Sequence, residues 1–339
     1  MTYSRFSWRS KIDLKAGGAM KGVFLDVASM GDGLDLSDIE SSFSQYQSYD
    51  TTESANVCER IKGFEVVVVN KVLLGKKEIT SNPSLKLIAV TATGTNNIDL
   101  QAAKEAGVRV CNVTQYGRPA IVQHTFSLLL ALTNRLLDYA KDVQDGRWCT
   151  SPIFCLMDYP IVELEGKTLG LLGYGDLGQG VAKMAEGFGM KVILAARSGQ
   201  SLESVDGYPR LALEELLPQV DVLSIHCLLS DETTNLIDAN ALSKMKPSAY
   251  LLNLARGGIV DENALAEALK ERRLAGAATD VLSVEPPKGG NVLLDREIPN
   301  LIVTPHCAWA SKEARQRLLD KAAANIRRFA EGEPQAYIV

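Results

Sequence analysis

Arg256, Glu285 and His306 are the side chains of this sequence whose types and placement could do chemistry together. Each lies just beyond a short apolar run that reads as a buried parallel strand: residues 249–255 lead to Arg256, 276–284 to Glu285 and 300–305 to His306. Ligands of open α/β sheets bind in the crevice outside the carboxyl ends of the strands. A fixed cation, a carboxylate and an imidazole could meet there, a trio suited to proton transfer to a small anion. Taken singly, each admits a plainer role, with Arg256 a surface cation and His306 a buried, satisfied histidine. The ordered set is harder to ascribe to accident, because it follows a glycine-rich turn with a chemistry of its own.

That turn is Gly173-Tyr174-Gly175-Asp176-Leu177-Gly178. Residues 168–172 before it form a short apolar run. Leu177, Val181, Met184, Ala185 and Phe188 after it recur at helical spacing, and Gly189 can end that helix. Residues 191–196 read as the next strand and complete a βαβ unit, the setting in which this pattern binds a dinucleotide rather than merely turning the chain. Gly173 permits the tight turn, Gly175 lets a pyrophosphate approach the backbone, and Gly178 lets helix and strand pack closely. The helix start offers unpaired N–H groups and a positive dipole end to the phosphates.

Together with residues 92–99, 253–262, 280–287 and 304–306, these segments resemble the D-isomer-specific 2-hydroxyacid dehydrogenase family, from about Met20 onward. Residues 146–149, Phe154-Cys155 and Trp309 are similar to its glycerate dehydrogenase branch, also called hydroxypyruvate or glyoxylate reductases. The resemblance implies reduction of a small 2-keto acid, hydroxypyruvate or glyoxylate being favoured, to the D-2-hydroxy acid by hydride from NAD(P)H. Arg256 would anchor the substrate carboxylate through its planar fork. His306 would donate the proton in reduction and accept it in oxidation, with Glu285 fixing the ring tautomer and favouring its protonated form. Asn70 and Lys71, with Gly94 and Thr95, would add backbone N–H groups for the substrate carboxylate. Thr93, Asp176, Leu177, Cys227, Leu254 and Ala255 would line the cofactor, and Asp280 would hydrogen-bond the nicotinamide amide. Residues 93–94 also read as an ordinary strand-end turn, and Asp280 as a solvent carboxylate. His124 and His226 are expected to be structural or near the cofactor.

Cofactor choice turns on residue 196. NAD-using relatives place an acidic residue at the end of the second strand, on the ribose 2′-hydroxyl; here that position is Ala196, followed by Arg197 and Ser198. Without the carboxylate a 2′-phosphate is not repelled, and Arg197 can pair with it. NADP(H) is therefore favoured, with NAD(H) usable through the shared pyrophosphate, unless Arg197 simply points to solvent. A dinucleotide-sensing corepressor that binds partner peptides, and a dehydrogenase of another small anion such as phosphite, stay open. Glu285 argues against a formate dehydrogenase, in which glutamine stands at that position.

The elements that must position these residues form two doubly wound parallel-sheet α/β domains. Residues 118–310 make a Rossmann dinucleotide-binding domain with about six strands. Residues 20–117 with 311–339 make a smaller, flavodoxin-like substrate-binding domain, whose strands are expected at 23–26, 66–69, 85–92 and 108–113. Residues 1–19 read as an N-terminal extension. Two crossings between the blocks would form a hinge. One long helix is expected from Pro119 to about Tyr139, apolar on more than one face, which implies burial by something besides its own domain. A second subunit in a homodimer is the favoured cover.

Composition agrees. The 339 residues are 46% hydrophobic and 23% charged, as in a globular protein of about two domains. A net charge of −5 and the lack of a Lys/Arg block argue against nucleic acid. The longest apolar stretch, near 126–132, is too short to span a membrane. None of the six cysteines forms a Cys-x-x-Cys pair, and Cys58, Cys111, Cys227 and Cys307 read as small core residues. Neither a metal site nor a disulfide framework is expected, and the cytoplasm is the default compartment.

Overall fold

Short apolar runs closed by glycine, proline or polar turns fold here as parallel strands, and amphipathic segments between them as helices. The computed structural model describes residues 20–333 and 335–339; the extension expected at 1–19 lies outside the described residues. The chain divides into two units, one built from the described residues up to Tyr116 with Lys312–Val339, the other from Gly117–Ser311.

The first unit carries β1 (Lys21–Phe24), β2 (Gln45–Ser48), β3 (Val66–Val69), β4 (Leu87–Val90) and β5 (Arg109–Cys111), all parallel, in the order β2-β1-β3-β4-β5. This is the flavodoxin-like order. Every residue of β3 and β4 is buried, as β-branched and aliphatic side chains covered on both faces should be. The edge strand β2 (Gln-Tyr-Gln-Ser) was not expected: it has no apolar alternation and pairs only with β1. Helices α1 (Ser37–Glu40), α2 (Val57–Ile61), α3 (Lys76–Thr80) and α4 (Leu100–Glu105) connect the strands.

The second unit starts with α5 (Arg118–Thr133) and α6 (Leu136–Gln144). Its sheet holds β6 (Thr168–Leu172), β7 (Lys191–Ala196), β8 (Arg210–Ala212), β9 (Val222–Ile225), β10 (Tyr250–Asn253), β11 (Gly276–Thr279) and β12 (Leu301–Val303), in the order β12-β11-β10-β9-β6-β7-β8. Counted within the unit this is the doubly wound dinucleotide-binding order with one strand added. The seven strands exceed the expected six because β8 is three half-exposed residues paired only to β7. Side-chain alternation splits the interior in two: Leu223, Leu251 and Ala277 face one core, while Val222, Leu252 and Ala278 face the other. Helices α8 (Leu213–Leu216), α9 (Ala239–Lys244) and α10 (Glu262–Lys270) belong to the first core, α5 and α7 (Asp176–Gly187) to the second. The last helix, α11 (Lys312–Glu331), lies in the first unit, packed on α1 and β4.

The single helix expected from Pro119 to Tyr139 is corrected to two. Arg135, at φ 52°, takes the left-handed conformation between α5 and α6. Nor does α5 need a cover from outside: Val122, Phe126, Leu129 and Leu132 are buried in its own unit against α7 and the sheet. A helix that is apolar around most of its circumference suits this sandwiched position. The exposed apolar residues lie beyond the break instead. Leu136, Leu137, Trp148, Phe154 and Met157 are open, with Phe154 at 90% exposure. Among the described residues no helix is long and apolar enough to cross a membrane.

Candidate active site

The parallel strands of the second unit bring the loops after β6, β9, β10 and β11 to one edge of the sheet. After β10 the chain turns sharply. The Asn253 side chain donates to Arg256 O (2.8 Å) and accepts from Ala255 N (3.1 Å), and the exposed Arg256 guanidinium donates to Ala255 O (2.7 Å). Gly257 follows, and a Cβ there would collide with the backbone of Leu282 and Ser283. Glycine thus lets the Arg256 turn and the loop after β11 touch backbone to backbone.

That second loop carries Glu285. One of its oxygens accepts from Leu282 N (2.8 Å) and the other stands 2.6 Å from His306 Nδ1. Both side chains are about one-third exposed, at 33% and 32%. Burial pushes the Glu285 carboxyl up, but the hydrogen bonds from His306 and Leu282 and the charges of His306 and Arg256 outweigh it and hold the group below its ordinary range. The structure therefore brings Arg256, Glu285 and His306 into one electrostatic site. With Nδ1 engaged, Nε2 of His306 is the ring atom left for proton exchange.

The His306 loop is clasped from behind. His306 lies at φ 52°, its N–H donates to Thr304 O (3.0 Å) and its carbonyl accepts from Trp309 Nε1 (3.0 Å). Asp280, 1% exposed, accepts from the Thr304 hydroxyl (2.5 Å), Cys307 N (2.9 Å) and Ala308 N (2.8 Å). His124 Nε2 lies 3.1 Å from the Thr304 hydroxyl and 3.7 Å from Asp280. Asp280 is thus not a solvent carboxylate: it is buried, and both oxygens hold the loop that presents His306. Cys307, read as a core residue, is corrected to a half-buried member of this polar cluster, where burial and the Asp280 charge push its thiol up. His124, Asp280 and Cys307 bring their ligand atoms within 4.8 Å of one another, a grouping the sequence spacing did not signal. Its carboxylate is already engaged by three protein donors.

The glycine turn fits a dinucleotide. Gly173 lies at φ 102°, and a Cβ there would stand 2.6 Å from Cys227 N; a Cβ at Gly178 would strike Gly173 O, whereas Gly175 faces open space. The first N–H groups of α7 have no intrahelical partner. A diphosphate therefore finds backbone donors and no side chain in its way. Asp176 at the helix start is paired with Arg118 at 3.2 Å. Leu177 lies partly buried on α7, Cys227 is half-buried, and Leu254 and Ala255 are buried. Arg197 and Ser198 stand exposed just past β7. His226 is bonded to the Ser224 hydroxyl (2.7 Å), and burial pushes its imidazole down to about 4.

In the first unit one expectation is corrected. The backbone N–H groups of Asn70 and Lys71 are not available to a substrate carboxylate, because Asp26 takes them at 2.9 and 2.6 Å, with Val72 N at 3.2 Å. Burial raises the Asp26 carboxyl, only partly offset by these bonds. Sequence reasoning missed Asp26, although a carboxylate closing the apolar run 23–25 was the signal for it. The Thr93 hydroxyl donates to Val113 O (3.0 Å), and Gly94 and Thr95 lie half-buried in the loop after β4.

Residues 126–308 match the family model described as D-isomer specific 2-hydroxyacid dehydrogenase, NAD binding domain. The chain is 43% identical over 318 residues to a glycerate dehydrogenase of Methylorubrum extorquens, covering 93% of this chain and 98% of that one. It is 36% identical over 319 residues to a hydroxypyruvate reductase of Blautia hydrogenotrophica, with the same coverage of 93% and 98%. Among solved structures, an acyclic imino acid reductase (Bsp5) in complex with NADPH and D-Arg superposes with a TM-score of 0.80 at 27% identity, over 94% of this chain and 100% of that one.

Proposed function

The chain belongs to the D-isomer specific 2-hydroxyacid dehydrogenase family, and from that premise we propose that it reduces hydroxypyruvate or glyoxylate to the D-2-hydroxy acid, with NADPH preferred. The observation that carries this reading is the 2.6 Å His306–Glu285 pair with the Arg256 charge acting on the same carboxylate. The turn at Gly173, Gly175 and Gly178 would hold the reduced dinucleotide, which would supply a hydride to the carbonyl carbon. Arg256 holds the substrate carboxylate and polarises the adjacent carbonyl. His306 delivers a proton from Nε2 to the carbonyl oxygen, and Glu285 keeps the ring oriented through Nδ1. The substrate branch is supported by relatives named glycerate dehydrogenase and hydroxypyruvate reductase.

NADPH preference rests on Ala196 where an acidic residue would repel a 2′-phosphate, on the exposed Arg197 and Ser198 beside it, and on the NADPH bound in the imino acid reductase. We place the enzyme in the cytoplasm, where its six unpaired cysteines would stay reduced. A homodimer would cover the exposed apolar residues of α6 and the segment after it. Turnover of hydroxypyruvate, glyoxylate, pyruvate and phenylpyruvate, each with NADPH and NADH, tests the reading. Hydroxypyruvate or glyoxylate with NADPH should give the highest kcat/KM, and a preference for phenylpyruvate or for NADH would refute the corresponding half.

A further inference from the structure

We propose that Glu262 is a positioning residue of this reaction, setting where the Glu285 carboxylate stands. The inference rests on the acid–base reading of Glu285 and His306. Glu262 is the first residue of α10, whose start is fixed by Asp261 accepting from the N–H groups of Asn263 and Ala264 (both 3.0 Å). Ala264, Leu265, Ala266, Ala268 and Leu269 root the helix in the core. The Glu262 carboxylate reaches from this rigid base to both sides of Glu285. One oxygen accepts from Ser283 N (2.6 Å), and the other from the Ser283 hydroxyl and the Asn291 side chain (both 2.7 Å).

The residues 283–291 are therefore held at each end by one side chain. Between those ends Glu285 makes its bonds to Leu282 N and His306. The same loop meets Gly257, next to Arg256, backbone to backbone. Glu262 thus references the carboxylate that orients His306 to the turn that carries the anchor. An ionised carboxylate in the first turn of a helix is also favoured by the helix dipole, so the tie suits its position. Both oxygens are committed to the loop, which leaves no role for Glu262 as a substrate contact. Misplacing a catalytic group by about 1 Å costs on the order of a hundredfold in rate.

The test compares Glu262→Ala, Glu262→Gln, Glu285→Gln and the double variant Glu262→Ala/Glu285→Gln. Each is measured for kcat, KM, the pH profile of reduction, dinucleotide affinity and Tm. Glu262→Ala should lower kcat by about ten- to a hundredfold, leave keto-acid KM and NADPH affinity within about twofold, and move the pH profile in the direction that Glu285→Gln moves it. The double variant should be no slower than Glu285→Gln alone, because a residue acting only through Glu285 has nothing left to position. Glu262→Gln, which keeps one acceptor for Ser283 N, should fall between, and it carries the test if the alanine variant does not fold. A wild-type pH profile in the Glu262 variants, a lower Tm with unchanged kcat, or losses that multiply in the double variant would overturn the proposal while leaving the acid–base reading intact. A wild-type profile in Glu285→Gln would overturn both.

Discussion

At the scale of single residues, the proposed proton path depends on one short contact, between His306 and Glu285. His306→Ala should lower turnover by about 10²–10⁴-fold, the usual worth of positioned acid–base catalysis, with dinucleotide affinity unchanged because that site is built around the glycine turn. Single-turnover kinetics with fluorescence titration separates the two, and near-normal turnover at neutral pH would remove His306 from the mechanism. Glu285→Gln should change the pH profile of reduction, since His306 Nδ1 loses its carboxylate partner. For stability the sign follows from Glu285 itself. The Glu285 carboxyl lies below its ordinary value of 4.5 in the folded chain, so its contacts stabilise the fold above that value and are lost as pH falls through the depressed one. Acid unfolding of the glutamine variant should accordingly lose part of its pH dependence below 4.5. Arg197→Ala should weaken NADPH by about tenfold and leave NADH unchanged, the lower end for a charge-assisted bond because Arg197 is exposed. Equal weakening of both cofactors would contradict the 2′-phosphate role.

Among elements, the site is a matter of loops that strands and helices hold in contact. The loops after β10 and β11 touch because residue 257 has no side chain. Gly257→Ala must push them apart, an overpacking that typically costs about 1–3 kcal/mol. We expect a lower Tm and a reduced kcat from this one methyl, measured by thermal unfolding and steady-state assays. A variant with wild-type kcat would mean that the spacing of Arg256 and Glu285 is not set at this contact. The clasp around Asp280 works on the same scale, joining the end of β11 to the turn after β12 through three hydrogen bonds. A carboxylate buried this deeply persists only when its oxygens are satisfied.

For the whole molecule, the apolar surface sets the expectation. Leu136 and Leu137 are 58% and 57% exposed on α6, and the segment holding Phe154 and Met157 is tied to that helix through the Tyr139–Tyr159 ring contact. Exposed apolar residues collected over one segment mark an association surface, and a second copy of the chain is the proposed partner. Light scattering at micromolar protein should give a dimer mass for the wild type and a monomer for Leu137→Asp. A monomeric wild type would rule the dimer out.

Most strands, the glycine turn and the proposed trio of Arg256, Glu285 and His306 could be read from the amino-acid order because each is written locally. Apolar runs such as residues 66–69 and 168–172 between turns read as buried strands, residues 262–270 repeat at helical spacing behind Asp261, and three glycines set between such a strand and a helix fit a dinucleotide turn. The edge strands β2 and β8 escaped that reading, since their pairing is backbone to backbone and leaves no side-chain pattern. So did the break at Arg135, whose residue type does not announce a left-handed turn. Tertiary structure alone decided where the polar groups spend their hydrogen bonds. Asp26 takes the N–H groups of Asn70 and Lys71, Asp280 takes the His306 loop, and Glu262 reaches Ser283 and Asn291. Burial makes an unpaired donor or carboxylate costly, so each finds a partner, but which partner depends on segments 21 to 45 residues apart being folded side by side.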